Sequence, residues 1–238
     1  MTPPMAMTPV GPTTPNAATL AEVRIGADPE AWRRCGFNVG DGVAPVGRVR
    51  LRFTAEGEGI TGWTLRRAAD AIPASGVPSS RAPDLDGLPS EITDDAPPEP
   101  GDHPNGASRV DHLVIFTPSL KRTVSALEAA GITLRRLREP DEPGPPVRQA
   151  FFRLGEVICE VVEEPRADDG PARFWGITLR VGDIDACAAL LGERMGEIHE
   201  AVQPGRRIAT VRRAAGLGVP VALITESART ERPSLRAP

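Results

Sequence analysis

Lysine, tyrosine and histidine are scarce or missing in this chain of 238 residues. It contains a single lysine, Lys121, no tyrosine and three histidines. The formal net charge is −4, so the chain has no excess of cations to neutralise the phosphates of a nucleic acid. We therefore expect no nucleic-acid partner. Aromatic residues make up only 4% of the chain, which means that a core must be built mainly from Val, Leu, Ile and Ala.

Cysteines and long apolar runs are also lacking. The three cysteines, Cys35, Cys159 and Cys187, are odd in number and widely spaced, which argues against a disulfide framework or a Cys-rich zinc site. We expect reduced thiols, with Cys159 and Cys187 packed as small hydrophobes. No apolar run approaches the ~20 residues of a membrane helix. The N-terminus lacks the basic and apolar regions of a secretory signal. These absences predict a cytoplasmic protein without a membrane partner.

Composition divides the chain into five parts. Residues 1–19, rich in Pro and Thr, and residues 227–238 are expected to be disordered tails. Residues 20–68 have the pattern of a shortened βαβββ-like module. Residues 69–108 are rich in Pro, Gly and Asp, which is typical of a solvated linker. Residues 109–226 have the pattern of a paired βαβββ domain.

The paired domain shows the same order of elements twice. The strand "RVDHLVIFT" is followed by the helix "SLKRTVSALEAAG", which Gly131 is expected to end, and then by three strands up to "VICEVVEE". The strand "RFWGITLRV" is followed by the helix "DIDACAALLG", with Asp183 as its N-cap, and again by three strands. Repetition of a unit of about 50 residues predicts an internal structural repeat.

Two polar residues lie on apolar strand faces. His112 has the same parity as Val114 and Phe116, and Glu160 alternates in the same way within "VICEVVEE". A charged group on an apolar face is costly unless it is paired or bound to a ligand. His112 can be a satisfied core or cleft histidine, and Glu160 can be paired with an arginine. The alternative is that both belong to a binding site.

Four segments in succession resemble the vicinal oxygen chelate superfamily, which includes glyoxalases, extradiol dioxygenases and bleomycin-resistance proteins. They are "VDHLVIFTPSLKRTVSALEAAG", "FFRLGEVICEVVEE", "FWGITLRVGDIDACAALLG" and "GRRIATVRRAAGLGVPVALIT". The resemblance covers residues 109–226 well and residues 20–68 loosely. It implies an α+β fold in which repeated βαβββ modules form curved mixed sheets around a concave cavity. A small-molecule ligand is therefore expected.

The resemblance also implies a divalent metal, such as Zn, Fe, Mn or Ni. His112 stands at the family's first-strand ligand position and Glu160 at its last-strand position, where Glu160 could also act as a catalytic base. In the second module, Gly176 and Ala222 occupy the matching positions, and neither side chain can bind a metal. Two protein ligands are fewer than such metals generally need. The metal site is therefore expected to be partly degenerate.

Other residues could complete a site. His199 or Gln203 could turn into the cavity as a further ligand, or a second subunit could donate one in a homodimer. Trp175 is a candidate cavity wall, and Gln203 and Arg207 are candidate substrate contacts, because an inward arginine can bind a carboxylate or phosphate. Two functions remain open. One is a metabolite-binding protein, and the other is a metal-dependent lyase, isomerase or dioxygenase.

Overall fold

The computed structural model describes residues 18–67, 83–139, 147–164 and 169–226. Its N-terminal part forms a five-stranded sheet with strand order β2-β3-β1-β4-β5 and one helix. The elements are β1 (Ala18–Gly26), α1 (Pro29–Arg34), β2 (Val43–Val46), β3 (Val49–Thr54), β4 (Gly59–Arg67) and β5 (Ser90–Thr93).

The remaining part forms an eight-stranded mixed sheet with strand order β11-β12-β13-β10-β6-β9-β8-β7. Its first module comprises β6 (Ala107–Thr117), α2 (Leu120–Ala129), β7 (Leu134–Arg138), β8 (Gln149–Leu154) and β9 (Val157–Glu163). Its second module comprises β10 (Arg173–Val181), α3 (Ile184–Leu191), β11 (His199–Glu200), β12 (Arg207–Val211) and β13 (Val221–Thr225). The predicted α+β fold of repeated βαβββ modules is confirmed.

The two modules meet through their first strands. β6 and β10 run antiparallel at the centre of the sheet, and each is parallel to the last strand of its own module, β9 or β13. The register relates the modules by an approximate two-fold axis, because Val114 pairs with Glu160 in the same way that Thr178 pairs with Ala222. Equivalent positions in the two modules can therefore be compared residue by residue.

The helices begin where the sequence predicts them. The Ser119 side chain accepts a hydrogen bond from the backbone N–H of Arg122 at the start of α2. The Asp183 side chain accepts from the backbone N–H groups of Asp185 and Ala186 at the start of α3. These caps satisfy backbone donors that the first helical turn leaves free.

The N-terminal sheet is more than the one shortened module predicted for residues 20–68. β1 is parallel to β3, and β4 runs antiparallel to β1 and parallel to β5. This repeats the central pattern of the eight-stranded sheet, with β4 in the place of a second module's first strand and β5 in the place of its last. The five-stranded sheet is therefore a reduced form of a module pair.

The interpretation of residues 69–108 as a solvated linker is wrong for residues 83–108. This segment contains β5 and the start of β6, and it buries Leu85, Leu88 and Asn105. His103 is also buried, and both of its ring nitrogens are hydrogen-bonded. Nδ1 accepts from the Asn38 backbone, and Nε2 donates to the Pro45 carbonyl. These buried residues are widely separated in a Pro-rich segment, so composition did not indicate that they pack against the fold. Residues 69–82 and the predicted tails, apart from residues 18 and 19 in β1, lie outside the described residues.

The two sheets pack against each other. β4 contacts β10, where the rings of Trp63 and Phe174 lie 5.2 Å apart in an edge-to-face arrangement. The indole Nε1 of Trp32 in α1 donates to the Leu217 carbonyl, 3.1 Å away. None of the helices in the described part of the chain combines the length and the apolar character of a membrane-spanning segment.

Candidate functional site

A cavity of about 360 Å³ opens on the eight-stranded sheet. Its polar lining comes from His112, Glu160, Thr178 and Thr210, and the other described lining residues are apolar. They are Val114, Phe116, Val162, Trp175, Ile177, Ile208, Pro220, Val221 and Ala222. The sequence-predicted residues His112, Glu160 and Trp175 thus lie at one cavity.

Strand register explains why His112 and Glu160 share this cavity. β6 and β9 are parallel neighbours, with His112 opposite Ile158 and Val114 opposite Glu160. Because side chains alternate along a strand, His112, Val114 and Glu160 face the same side of the sheet. The two polar groups are therefore diagonal neighbours on adjacent strands.

Both ring nitrogens of His112 have hydrogen-bond partners. Nδ1 lies 3.0 Å from Oδ2 of Asp111, and Nε2 lies 2.9 Å from Oγ1 of Thr178. An ionised Asp111 can only accept, so the Nδ1 position of His112 carries the proton. In the neutral imidazole, Nε2 then accepts from the Thr178 hydroxyl. Rotation of that hydroxyl would free the Nε2 lone pair for a ligand.

A bulge in β6 places Asp111 beside His112. The register passes from His112 opposite Thr178 to Val110 opposite Leu179, which leaves Asp111 without a paired residue. An extra residue of this kind re-aims side chains next to functional sites. The sequence did not identify Asp111, because strand alternation alone directs it to the face opposite His112.

Asp111 is the anion of a buried charge cluster. Its Oδ1 accepts from Nε of Arg180 and from Nη2 of Arg206, the latter at 2.9 Å. Arg206 is itself buried, and its Nε donates to the Thr225 carbonyl at 2.8 Å. Although burial opposes ionisation, hydrogen bonds from His112, Arg206 and Arg180 hold the pKa of Asp111 well below its usual range. The cluster therefore fixes the orientation of the His112 ring.

Glu160 is in a different electrostatic environment. Burial raises the pKa of its carboxyl group, and His112, when protonated, and Arg138 lower it to a smaller extent. Its Oε1 accepts from Nε2 of Gln149 at 2.6 Å, and Oε1 of Gln149 accepts from Arg138 at 3.2 Å. The partner of Glu160 is therefore a neutral amide, so its charge is not directly compensated.

The residues present do not fit a tightly bound divalent metal. Gly176 and Ala222 are the two-fold equivalents of His112 and Glu160, and neither provides a ligand atom. A Cβ at Gly176 would lie 2.9 Å from the carbonyl oxygen of Pro220, so a longer side chain there requires the backbone to shift. Within the described ranges, no three His, Cys, Asp or Glu side chains are grouped to hold a metal.

The residues proposed to complete the site do not line the cavity. His199 is exposed, with Nδ1 3.3 Å from the Glu197 carbonyl. Gln203 lies in an exposed turn before β12. Arg207, predicted as a substrate contact, instead forms a bidentate ion pair with Asp185 on the surface, with N–O distances of 2.6 and 2.8 Å. Its neighbour Arg206 is the arginine that turns inward.

The cysteines lie in the core, as predicted for Cys159 and Cys187. Cys35, Cys159 and Cys187 are free and buried. Burial raises the pKa of Cys159 to about 12 and that of Cys187 to about 11. Thiols with such values are not nucleophiles at neutral pH.

Comparison with known proteins gives similarity to solved structures only, since no family model and no curated protein matches the chain. The methylmalonyl-CoA epimerase of Mycobacterium tuberculosis is 16% identical over 52% of this chain and 91% of its own, with a TM-score of 0.41. The Streptomyces coelicolor enzyme, in complex with 2-nitronate-propionyl-CoA, is 25% identical over 51% and 99%, with a TM-score of 0.41. A hypothetical protein from Bacillus halodurans is 18% identical over 52% and 98%, with the same TM-score.

The fold of this chain follows from its own strand order and strand pairing, and not from these similarities. Its two βαβββ modules, which join through antiparallel first strands, form a mixed sheet with a cavity, and repeated modules around a cavity are what the resemblance to the vicinal oxygen chelate superfamily implies.

Proposed function

We propose that the cavity binds a small, neutral, largely apolar molecule that carries a hydroxyl or amine group, and that it does so without a metal. The observation that carries this proposal is one polar corner, formed by His112 and Glu160, in an otherwise mostly apolar lining. No arginine or lysine is among the described lining residues. An anionic ligand would therefore meet Glu160 without a compensating cation, which disfavours it.

The polar corner is suited to a hydrogen-bond donor. Glu160 has a neutral amide as its neighbour in Gln149, and Nε2 of His112 is an acceptor once the Thr178 hydroxyl rotates. A ligand hydroxyl or amine would donate to either group. The raised pKa also suits Glu160 to take a proton from such a ligand, the role expected of a base at this position.

The cavity wall favours a flat ligand. Trp175 is 43% exposed and stacks on Phe116, with centroids 5.1 Å apart and an angle of 21° between the rings. The guanidinium of Arg173 lies 5.0 Å from the Phe116 centroid and holds that ring from outside the cavity lining. The exposed indole of Trp175, held in place by Phe116, offers a face on which a flat ligand can stack.

The second function, a metal-dependent lyase, isomerase or dioxygenase, finds no support in the donor set. Lewis-acid catalysis on two adjacent oxygens needs a firmly held ion. The equivalents of His112 and Glu160 are Gly176 and Ala222, so two of the four expected metal-ligand positions have no side chain that can bind a metal.

Paired aromatic probes test the proposal. We expect 1-naphthol to raise the melting temperature of the full chain, and naphthalene to bind about tenfold more weakly, because it cannot donate to the polar corner. Replacing Glu160 by Gln or His112 by Ala should reduce this preference. Glu128→Gln, an exposed change of the same type on α2, should leave it intact.

A chelator completes the experiment. EDTA should not change the stabilisation by 1-naphthol if binding needs no metal. The proposal fails if neither probe stabilises the protein, if both site variants keep the full preference for the hydroxyl, or if EDTA abolishes binding.

A further inference from the structure

A second cavity, of about 420 Å³, lies where the two sheets meet. The turn between β2 and β3, the end of β4 and the starts of β1 and β6 contribute to it, together with the turn between β8 and β9. It shares no described lining residue with the cavity at His112. It is therefore a separate pocket that exists only because the N-terminal sheet packs here.

Arginine dominates the polar lining of this second cavity. Four arginines line it, Arg48, Arg66, Arg67 and Arg109, against a single acidic residue, Glu156. Two of the four have acidic partners beyond the lining. Arg67 lies 3.2 Å from Asp94, and Arg109 lies 2.9 Å from Glu226. Both pairs are part-exposed, so they compensate the charge only in part.

Arg66 is only partly satisfied by hydrogen bonds. Its Nε donates to the Asp95 carbonyl, but its Nη2 is buried and has no hydrogen-bond partner among the described residues. A buried guanidinium nitrogen without an acceptor is costly. Burial and the neighbouring charges of Arg50 and Arg48 lower the pKa of Arg66, with only a partial offset from Asp95. The positive charges of Arg48 and Arg50 are thus crowded around Arg66.

The remaining wall of the second cavity is largely apolar. It is formed by Leu20, Val46, Val49, Val110, Leu154 and Val157. A ligand that fits this lining needs an oxyanion for the arginines and an apolar body for the rest. Guanidinium groups bind carboxylate and phosphate oxygens through paired N–H donors.

We propose that this second cavity is a binding site for a small organic anion, whose carboxylate or phosphate group binds Arg66 and Arg48 and whose apolar part lies against Leu154 and Val157. The site is independent of the neutral-ligand cavity at His112. It gives the reduced N-terminal sheet a role, since that sheet supplies three of the four arginines.

Calorimetric titration at fixed ionic strength tests this site with three probes, inorganic phosphate, butyl phosphate and pentanoate. We expect saturable binding of at least one alkyl probe with a Kd of about 1 mM or tighter. Butyl phosphate should bind more tightly than inorganic phosphate, because its chain contacts the apolar wall. The stronger of the two alkyl probes identifies the oxyanion that the site prefers.

Two variants and a control locate the binding. Arg66→Gln should weaken binding at least about tenfold, because a charge-assisted hydrogen bond is lost. It should not lower the melting temperature of the free protein, since it also relieves repulsion. Arg48→Gln, an exposed change in a turn, should weaken binding without affecting folding. Arg33→Gln removes the same charge from α1, which contributes no lining residue to this cavity, and should leave binding unchanged.

The binding of the alkyl probes by the four variants decides whether the anion site exists. Loss of binding in the Arg66 and Arg48 variants, with retention in the Arg33 variant and in His112→Ala, supports the site. Equal binding by all variants, or no saturable binding of any probe, overturns it.

Discussion

Replacing Asp111 by Asn is expected to lower the free energy of unfolding by about 3–5 kcal/mol at neutral pH. Asp111 is 2% exposed and accepts hydrogen bonds from Arg180, Arg206 and His112. The amide that replaces it cannot compensate two arginines, of which Arg206 is also buried. Urea denaturation of both proteins measures the difference.

The pH dependence of this difference has a defined sign. Because the pKa of Asp111 is lower in the folded state, its contribution to stability is fully present above the pKa of an unfolded aspartate, about 4. It is lost as the pH falls towards the folded-state value. The stabilities of the wild type and Asp111→Asn should therefore converge in acid.

A matched change on the surface serves as the control. Asp185 also pairs with an arginine, Arg207, but both side chains are exposed. Asp185→Asn should cost less than about 1 kcal/mol. If Asp111→Asn is equally mild at neutral pH, the buried cluster does not stabilise the fold or hold the His112 ring.

Replacing Trp63 by Ala should also cost about 3–5 kcal/mol, because it removes a large buried side chain between the two sheets. Trp63 is fully buried, contacts Phe174 of the other sheet and donates from Nε1 to the Ser90 hydroxyl at 2.7 Å. The cavity that remains weakens β4, β5 and β10 together. We expect a single unfolding transition, shifted to lower urea, by both fluorescence and circular dichroism.

Trp175 provides the control for this prediction. It lies next to Phe174 in β10 but lines the ligand cavity and is 43% exposed. Trp175→Ala should change stability by much less than Trp63→Ala. Two separate transitions in the Trp63 variant, with the eight-stranded sheet unaffected, would show that the sheets do not stabilise each other.

The sequence predicted the fold and the polar pair from periodicity together with the family resemblance. Alternation placed His112 and Glu160 on apolar faces, and the repeated order of strands and helices predicted the paired modules. The register of β6 and β9 then brought the two residues to one cavity. Trp175 was a candidate because it is an aromatic residue beside Gly176, and it lines the cavity next to a register shift between Phe174 and Gly176.

Features that depend on an irregular backbone were not predictable in this way. The bulge at Asp111 breaks the alternation from which side-chain direction is read. Alternation placed Arg206 and Arg207 on opposite faces and Arg207 was chosen as the inward arginine, whereas Arg206, one residue before β12, is the buried one. β5 is four residues long and lies among prolines, which hid it in an apparent linker.

Calorimetric titration of zinc into the full chain tests the central claim most directly. All three histidines and all three cysteines lie within the described residues, and only His112 lines the ligand cavity. With His112 and Glu160 as the only strong donors there, we predict a Kd for zinc weaker than about 10 µM. A 1:1 site tighter than about 1 µM, lost in both His112→Ala and Glu160→Ala, would contradict a metal-free cavity.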